Sequence, residues 1–197
     1  MIYTAATRAS LRFAEKAHRG RVRKGTDAPY ALHPVAVATL LAATGAPEEV
    51  IVAAYLHDVV EDEDVTIGEI AERFGSRVAE LVAAVTERKE AADGTRRTWR
   101  ERKDETIAHL AGADAEVLLL KGADVCANIT DVVLDHAVIG DAVWDRFRAG
   151  PELQVWYYGS VADAILGQLT GYGLLRTELK VRLAQVRALV PATAGDR

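Results

Sequence analysis

The chain has a single cysteine, Cys126, among 197 residues, so no disulfide within it can brace the fold. It also has no run near the roughly 18 consecutive apolar residues that a membrane-spanning helix requires. Polar residues recur through "MIYTAATRASLRFAEKAHRG" too often for the apolar stretch of a signal peptide. Basic residues are not in excess: 24 Lys and Arg stand against 29 Asp and Glu, a net charge of −5. That balance argues against nucleic-acid binding through a broad basic surface. No segment sustains the apolar/polar alternation of a half-buried strand, and neither an internal repeat nor a long linker is present. These absences point to a soluble cytoplasmic protein with no membrane and no nucleic-acid partner. They leave its oligomeric state open.

What is present is ordinary for a globular protein, with 50% hydrophobic and 27% charged residues and enough length to bury a core. Helical periodicity dominates. "TRASLRFAEKAH" spaces Leu11, Ala14 and Ala17 at helical intervals, and the Gly- and Arg-rich "RGRVRKGTDAPY" after it is a loop. "HPVAVATLLAATG" is a helix with Pro34 in its first turn and Gly45 as its stop. "PEEVIVAAYLHDVVEDED" is a single helix, with Glu48 and Glu49 near its N-terminal dipole end. Thr66 caps the next segment, with Glu69 at capping-box spacing, and Gly75 divides it in two. Further helices are expected from about Arg100 to Leu110, over "DAEVLLLKGADVCANITDVV", and over 151–170 and 174–190. The expected architecture is all-α, one domain over 1–190 and a flexible tail over 191–197.

Chemistry concentrates in "AAYLHDVVEDED", where a core-like helix carries a histidine and then a crowd of carboxylates. On a helix His57 stacks with Glu61 and Asp58 with Asp62, so the four groups lean toward one region. Carboxylates packed so closely on an apolar background repel one another unless a cation relieves them. Imidazole with carboxylate suits manganese, iron or zinc, and two adjacent ligands are too few. His33, beside a helix-starting proline, and Asp124, in "LLLKGADVCANI", are the candidates to complete the set. Glu63 and Asp64 fall at the helix end and are expected to face water. Each residue has a plainer reading by itself: His33 as a structural histidine, Asp124 as a cap or ion-pair partner, the basic stretch from Arg12 to Lys24 as a solvated helix face. Their conjunction on apolar helices is what favours a site.

In that order, H, HD and D, the chain resembles the HD-domain metal-dependent phosphohydrolases. "RVRKGTDAPYALHPVAVATLL", "AAYLHDVVEDEDVTIGEIAERFG" and "LLKGADVCANITDV" are similar to the hydrolase domains of RelA/SpoT-type enzymes and to stand-alone small alarmone hydrolases such as the metazoan SpoT homologue. The resemblance runs from about residue 7 to residue 175 and implies an HD-domain helical bundle. It also implies manganese-dependent removal of the 3′-pyrophosphate of guanosine 3′,5′-bis(diphosphate) or its pentaphosphate relative.

Carried over by position, the metal ligands would be His33, His57, Asp58 and Asp124. Glu61 and Asp62 would orient and activate the attacking water. Arg23 and Lys24 would contact the nucleotide, Asn128 would line the nucleoside pocket, and Tyr157 (or, with a slip of one, Tyr158) would be a late aromatic there. Lys103 is a further candidate, for a distal phosphate. The chemistry agrees with these residue types, since phosphoester hydrolysis needs a cation, a proton-accepting carboxylate and basic groups that screen the substrate.

One departure is visible. The family's Leu-Ala-Asp-basic-Leu stretch reads Gly122-Ala123-Asp124-Val125-Cys126 here, so a basic residue beside the aspartate is missing and the exact nucleotide is open. An adenosine alarmone or NADPH is the alternative substrate, and a non-catalytic nucleotide-binding module the alternative of another class. No synthetase domain is expected. His18, His109 and His136 carry no ligand role, a second metal is not supported, and Cys126 reads as a small buried hydrophobe.

Overall fold

A computed structural model describes residues 3–91 and 93–190. The expected tail over 191–197 lies outside the described residues. Among those described there are ten α-helices and no strand, the only β geometry being isolated bridges at Val22–Pro29 and Glu90–Arg96. In chain order the helices are α1 (Ala5–Ala17), α2 (Leu32–Ala43), α3 (Glu48–Leu56), α4 (Val59–Asp62), α5 (Ile67–Phe74) and α6 (Ser76–Val85). There follow α7 (Trp99–Leu110), α8 (Ala115–Ile139), α9 (Gly150–Gln168) and α10 (Gly173–Leu189), with a 3-10 turn over Gly140–Arg146 between α8 and α9. No described helix is long and apolar enough to cross a membrane.

The axis of the assembly is α8, which packs against α2, α3, α6, α9 and α10. Its 25 residues start on Asp114, whose carboxylate accepts from the Glu116 and Val117 N–H groups and so satisfies two of the free donors of the first turn. From Val117 to Ala127 every residue is buried, because neighbours cover all sides of the helix. That explains why the sequence shows no amphipathic stripe there. Gly122 lies where α9 and α10 close in. A Cβ at that position would meet Leu175, Ile165 and Leu179 side-chain carbons at 3.3 to 3.5 Å. Glycine at this position is therefore a packing feature of the chain.

Two expected elements differ. The buried positions of α1 are Thr7, Ser10 and Ala14, whereas Leu11 and Ala17 are only partly buried against the core. Small polar groups fit the close approach to α3, and the Ser10 hydroxyl is satisfied by the Thr7 carbonyl at 3.0 Å. More consequentially, the helix expected over 47–64 is not continuous. It stops at Leu56, turns through His57 and Asp58, and resumes as the four-residue α4. The His57 imidazole donates from Nδ1 to the Ala54 carbonyl at 2.8 Å, a side-chain claim on the acceptor that an unbroken helix would give to the Asp58 N–H. The break swings both side chains toward α2 and α8.

Ile129 is fully buried in the middle of α8. Ile129→Ala is expected to destabilise the protein by about 2–5 kcal/mol, read as a lower urea midpoint with an unchanged slope.

Candidate metal and phosphate site

Three elements bring the site together: the first turn of α2, the α3–α4 break, and the buried middle of α8. His33, His57 and Asp58 each offer a ligand atom, all within 4.8 Å of one another. The two Nε2 atoms face each other at 3.2 Å. Asp58 approaches His57 Nε2 at 3.2 Å and His33 Nε2 at 3.7 Å. Asp124 Oδ1 lies 3.3 Å from His33 Nε2 and 3.7 Å from His57 Nε2. Because His57 Nδ1 spends its proton on a backbone carbonyl, its Nε2 presents a lone pair to the cluster when the ring is neutral. Both histidines are buried. Imidazole nitrogens and carboxylate oxygens pointed at one another from a dry wall are the donor set of a divalent cation, and these residues fit one.

Electrostatics agree with that reading. Burial disfavours the ionised acid, yet His57 and His33 hold the Asp58 carboxyl well below the usual carboxylate range. Asp124 is likewise buried, and the Lys121 ammonium with both histidines lowers it strongly. Lys121 donates from Nζ to Asp124 Oδ2 at 2.9 Å, so Oδ1 is the oxygen left facing the histidines. Asn128 also donates to that Oδ1, at 2.6 Å, which fixes the carboxylate plane. Burial lowers the pKa of His57, but Asp58 and Asp124 outweigh it and raise it well above the ordinary imidazole value.

Glu61 and Asp62 sit one turn beyond, both lining the same cavity, whose volume is about 420 Å³. Glu61 accepts from the Glu87 N–H at 3.3 Å and faces Lys89 Nζ at 3.5 Å. Its pKa is raised by burial, by Glu87 and by Asp58, with Lys89 opposing. Asp62 accepts from Tyr30 Oη at 3.1 Å, and the same hydroxyl lies 2.5 Å from Asp58 Oδ2. Tyr30 therefore couples the metal-facing aspartate to the acidic pair. Burial and the two carboxylates push its phenol pKa strongly upward, which keeps the O–H a donor.

The remaining expected residues also reach this cavity, with one surprise among them. Arg23 donates to Asn128 Oδ1 at 2.8 Å and to Asp131 at 2.7 Å, so its guanidinium is held in place by α8. Lys24, Asn128, Lys103, Tyr157 and Tyr158 all line the wall. Lys103 is paired with Glu87 and stands 4.4 Å over the Tyr157 ring. Glu63, expected to be solvated, instead accepts from Arg21 Nε at 2.8 Å and contacts the buried His18 at 3.1 Å. The His18 ring lies against Tyr30, so this trio braces the loop from the side away from the cavity. Asp64 is exposed. His109 is exposed as well, and half-buried His136 contacts Asp141 at 3.0 Å. Buried Cys126 has its thiol pushed up to about 12 by burial.

Sequence reasoning missed Tyr30, Lys121 and Glu87. Lys121 was open to it: a lysine inside an apolar run, three residues before the aspartate, stands one helical turn from Asp124. It supplies a basic partner from the opposite side to the position where the family pattern has one. Tyr30 and Glu87 lie in loops and carry no periodic signal.

A family model described as an HD domain matches residues 10–143. The guanosine-3′,5′-bis(diphosphate) 3′-pyrophosphohydrolase of Aquifex aeolicus is 40% identical over 117 residues, which is 59% of this chain and 16% of that protein. The protein of the same activity named MESH1 in Danio rerio is 35% identical over 132 residues, 66% of this chain and 70% of its own. A solved metazoan ortholog of SpoT, described as hydrolysing ppGpp, superposes with a TM-score of 0.75 at 27% identity, covering 96% of this chain and 99% of that one. The chain spans about a sixth of the length of the bacterial relatives from Aquifex aeolicus and Vibrio cholerae. The matched stretch contains both histidines and both aspartates of the cluster, and on that footing this chain belongs to the HD domain family.

Proposed function

We propose that this chain is a metal-dependent hydrolase that removes the 3′-pyrophosphate of guanosine 3′,5′-bis(diphosphate) or its pentaphosphate relative, with manganese as the ion. The products are GDP or GTP and pyrophosphate. The observation that carries the reading is the facing pair of imidazoles, Nε2 to Nε2 at 3.2 Å, with Asp58 and Asp124 on either side and a carboxylate pair one turn away. The names of the relatives from Aquifex aeolicus and Danio rerio support the same activity.

In this reading His33 Nε2, His57 Nε2, Asp58 and Asp124 Oδ1 hold the cation. When bound, it polarises a phosphoryl oxygen and lowers the pKa of a bound water. The chain's own groups do the rest. Glu61, with its pKa raised by burial and by neighbouring acids, accepts the proton of the water that attacks the phosphorus joined to the 3′ oxygen. Asp62, oriented by Tyr30, steers that water. The water oxygen bonds to that phosphorus, the P–O3′ bond breaks so that the two phosphates depart together as pyrophosphate, and the 3′ oxygen takes up a proton to become a hydroxyl. Arg23, Lys24 and Lys103 screen the substrate's charge, while Tyr157 and Asn128 bound the nucleoside.

Incubating the manganese-loaded protein with guanosine and adenosine 3′-pyrophosphates should release pyrophosphate from the guanosine compound; release from neither would end this proposal. Asp58→Ala should lose the bound metal seen in the wild type by elemental analysis. Glu61→Ala combined with Asp62→Ala should keep the metal and lower turnover by about 10²–10⁴-fold. The pH profile follows from Glu61, which works as the carboxylate, so the rate falls as pH drops through its pKa. Since Glu87 helps raise that pKa, Glu87→Gln should move the acid limb of kcat/KM to lower pH. An unmoved limb would take Glu61 out of the base role.

A further inference from the structure

Next to the catalytic cavity lies a larger one of about 690 Å³, and seven of its eleven lining residues are Lys or Arg while none is Asp or Glu. The concentration is unusual in a chain of net charge −5. Four of the seven are compensated from outside the cavity, Lys89 by Glu61 and Asp62, Arg97 by Glu105, Arg102 by Glu87 and Arg146 by Asp135. The other three, Lys24, Arg96 and Arg148, are exposed and have no ion pair among the described residues. Like charges gathered in a concave wall raise one another's free energy unless an anion joins them, and such a wall focuses a positive potential. The volume falls within the range of small-molecule pockets.

The two cavities adjoin. Lys24, Trp99, Arg102, Phe147 and Gln154 line both, so a ligand anchored at the metal cluster has the basic cavity next to it. One end of α7 joins the wall through Thr98 and Trp99, but Thr98 and Glu101 satisfy each other there in a capping box, so the positive charge of the wall comes from its Lys and Arg side chains. A charged, multi-oxygen group is the complement of this wall, and arginines with their planar donors suit phosphate oxygens.

We propose that this second cavity is a subsite for the polyphosphate at the far, 5′ end of the substrate nucleotide, with Arg96 and Arg148 as its specificity-determining residues. The inference rests on the proposed 3′-pyrophosphohydrolase reading, since it is that reading which places the 3′ group at the metal cluster. The chain would then select nucleotides phosphorylated at both ends and discriminate by the length of the 5′ phosphate chain.

The test compares guanosine 3′,5′-bis(diphosphate) with guanosine 5′-monophosphate 3′-diphosphate, which share the cleaved group, on the manganese-loaded wild type and on Arg96→Gln combined with Arg148→Gln. Both side chains are exposed, so the variant should fold, which circular dichroism and Tm check. The expected result is a KM for the bis(diphosphate) raised about tenfold or more, the loss of one to two charge-assisted contacts. Its kcat should be nearly unchanged, and both constants for the 5′-monophosphate compound should stay within about twofold. Equal effects on the two substrates, or no effect on either, overturn the subsite. Titration calorimetry with inorganic tripolyphosphate separates this from the parent reading: a wild type that binds it about tenfold tighter than the variant, yet cleaves neither nucleotide, keeps the subsite and loses the hydrolase. Equal affinity in that case removes both.

Discussion

A carboxylate buried in an apolar helix is the constraint around which this molecule is arranged. Asp124 stands in a stretch of α8 whose every residue from Val117 to Ala127 is buried, where an isolated charge would cost several kcal/mol or neutralise itself. The fold meets that cost with neighbours. Lys121 takes one oxygen, Asn128 the other, and two imidazoles approach from α2 and the α3–α4 break. Each of these partners is then committed, which fixes where α2 and α3 can lie against α8.

The break at His57 and Asp58 follows from the same demand. A continuous helix would project successive side chains about 100° apart and would keep the Ala54 carbonyl for the Asp58 N–H. Giving the Ala54 carbonyl to the imidazole ends α3 early and turns both groups inward. It also delivers Glu61 and Asp62 to the rim of the cavity on the short α4. There Tyr30 and Lys89 hold them, and His18, Arg21 and Glu63 brace the outer side. The carboxylates concentrate at the cluster, where Lys121 and Lys89 pair with them, while Lys24, Arg102, Arg146 and Arg148 line the adjoining basic cavity. That polarity suits a ligand with phosphates at a distance from one another.

By itself, the sequence determined the helical class, most helix positions, and the ligand types in their order along the chain. Apolar periodicity and caps such as Thr66 and Asp114 are local properties, and a His-Asp pair among apolar residues needs no partner to be noticed. Lys121 was within its reach, one turn from Asp124. What only the tertiary structure decided was how these pieces meet. The helix break depends on a side chain competing for a backbone acceptor, which composition does not show. Tyr30, Glu87 and Glu63 acquire their partners across sequence separations of 26 to 45 residues, where no periodicity operates. The basic cavity gathers residues from position 24 to position 154, so the stretch from Lys89 to Arg102 shows only part of its charge and the rest arrives through packing. Local patterns name the chemistry available; long-range packing chooses which groups face one another.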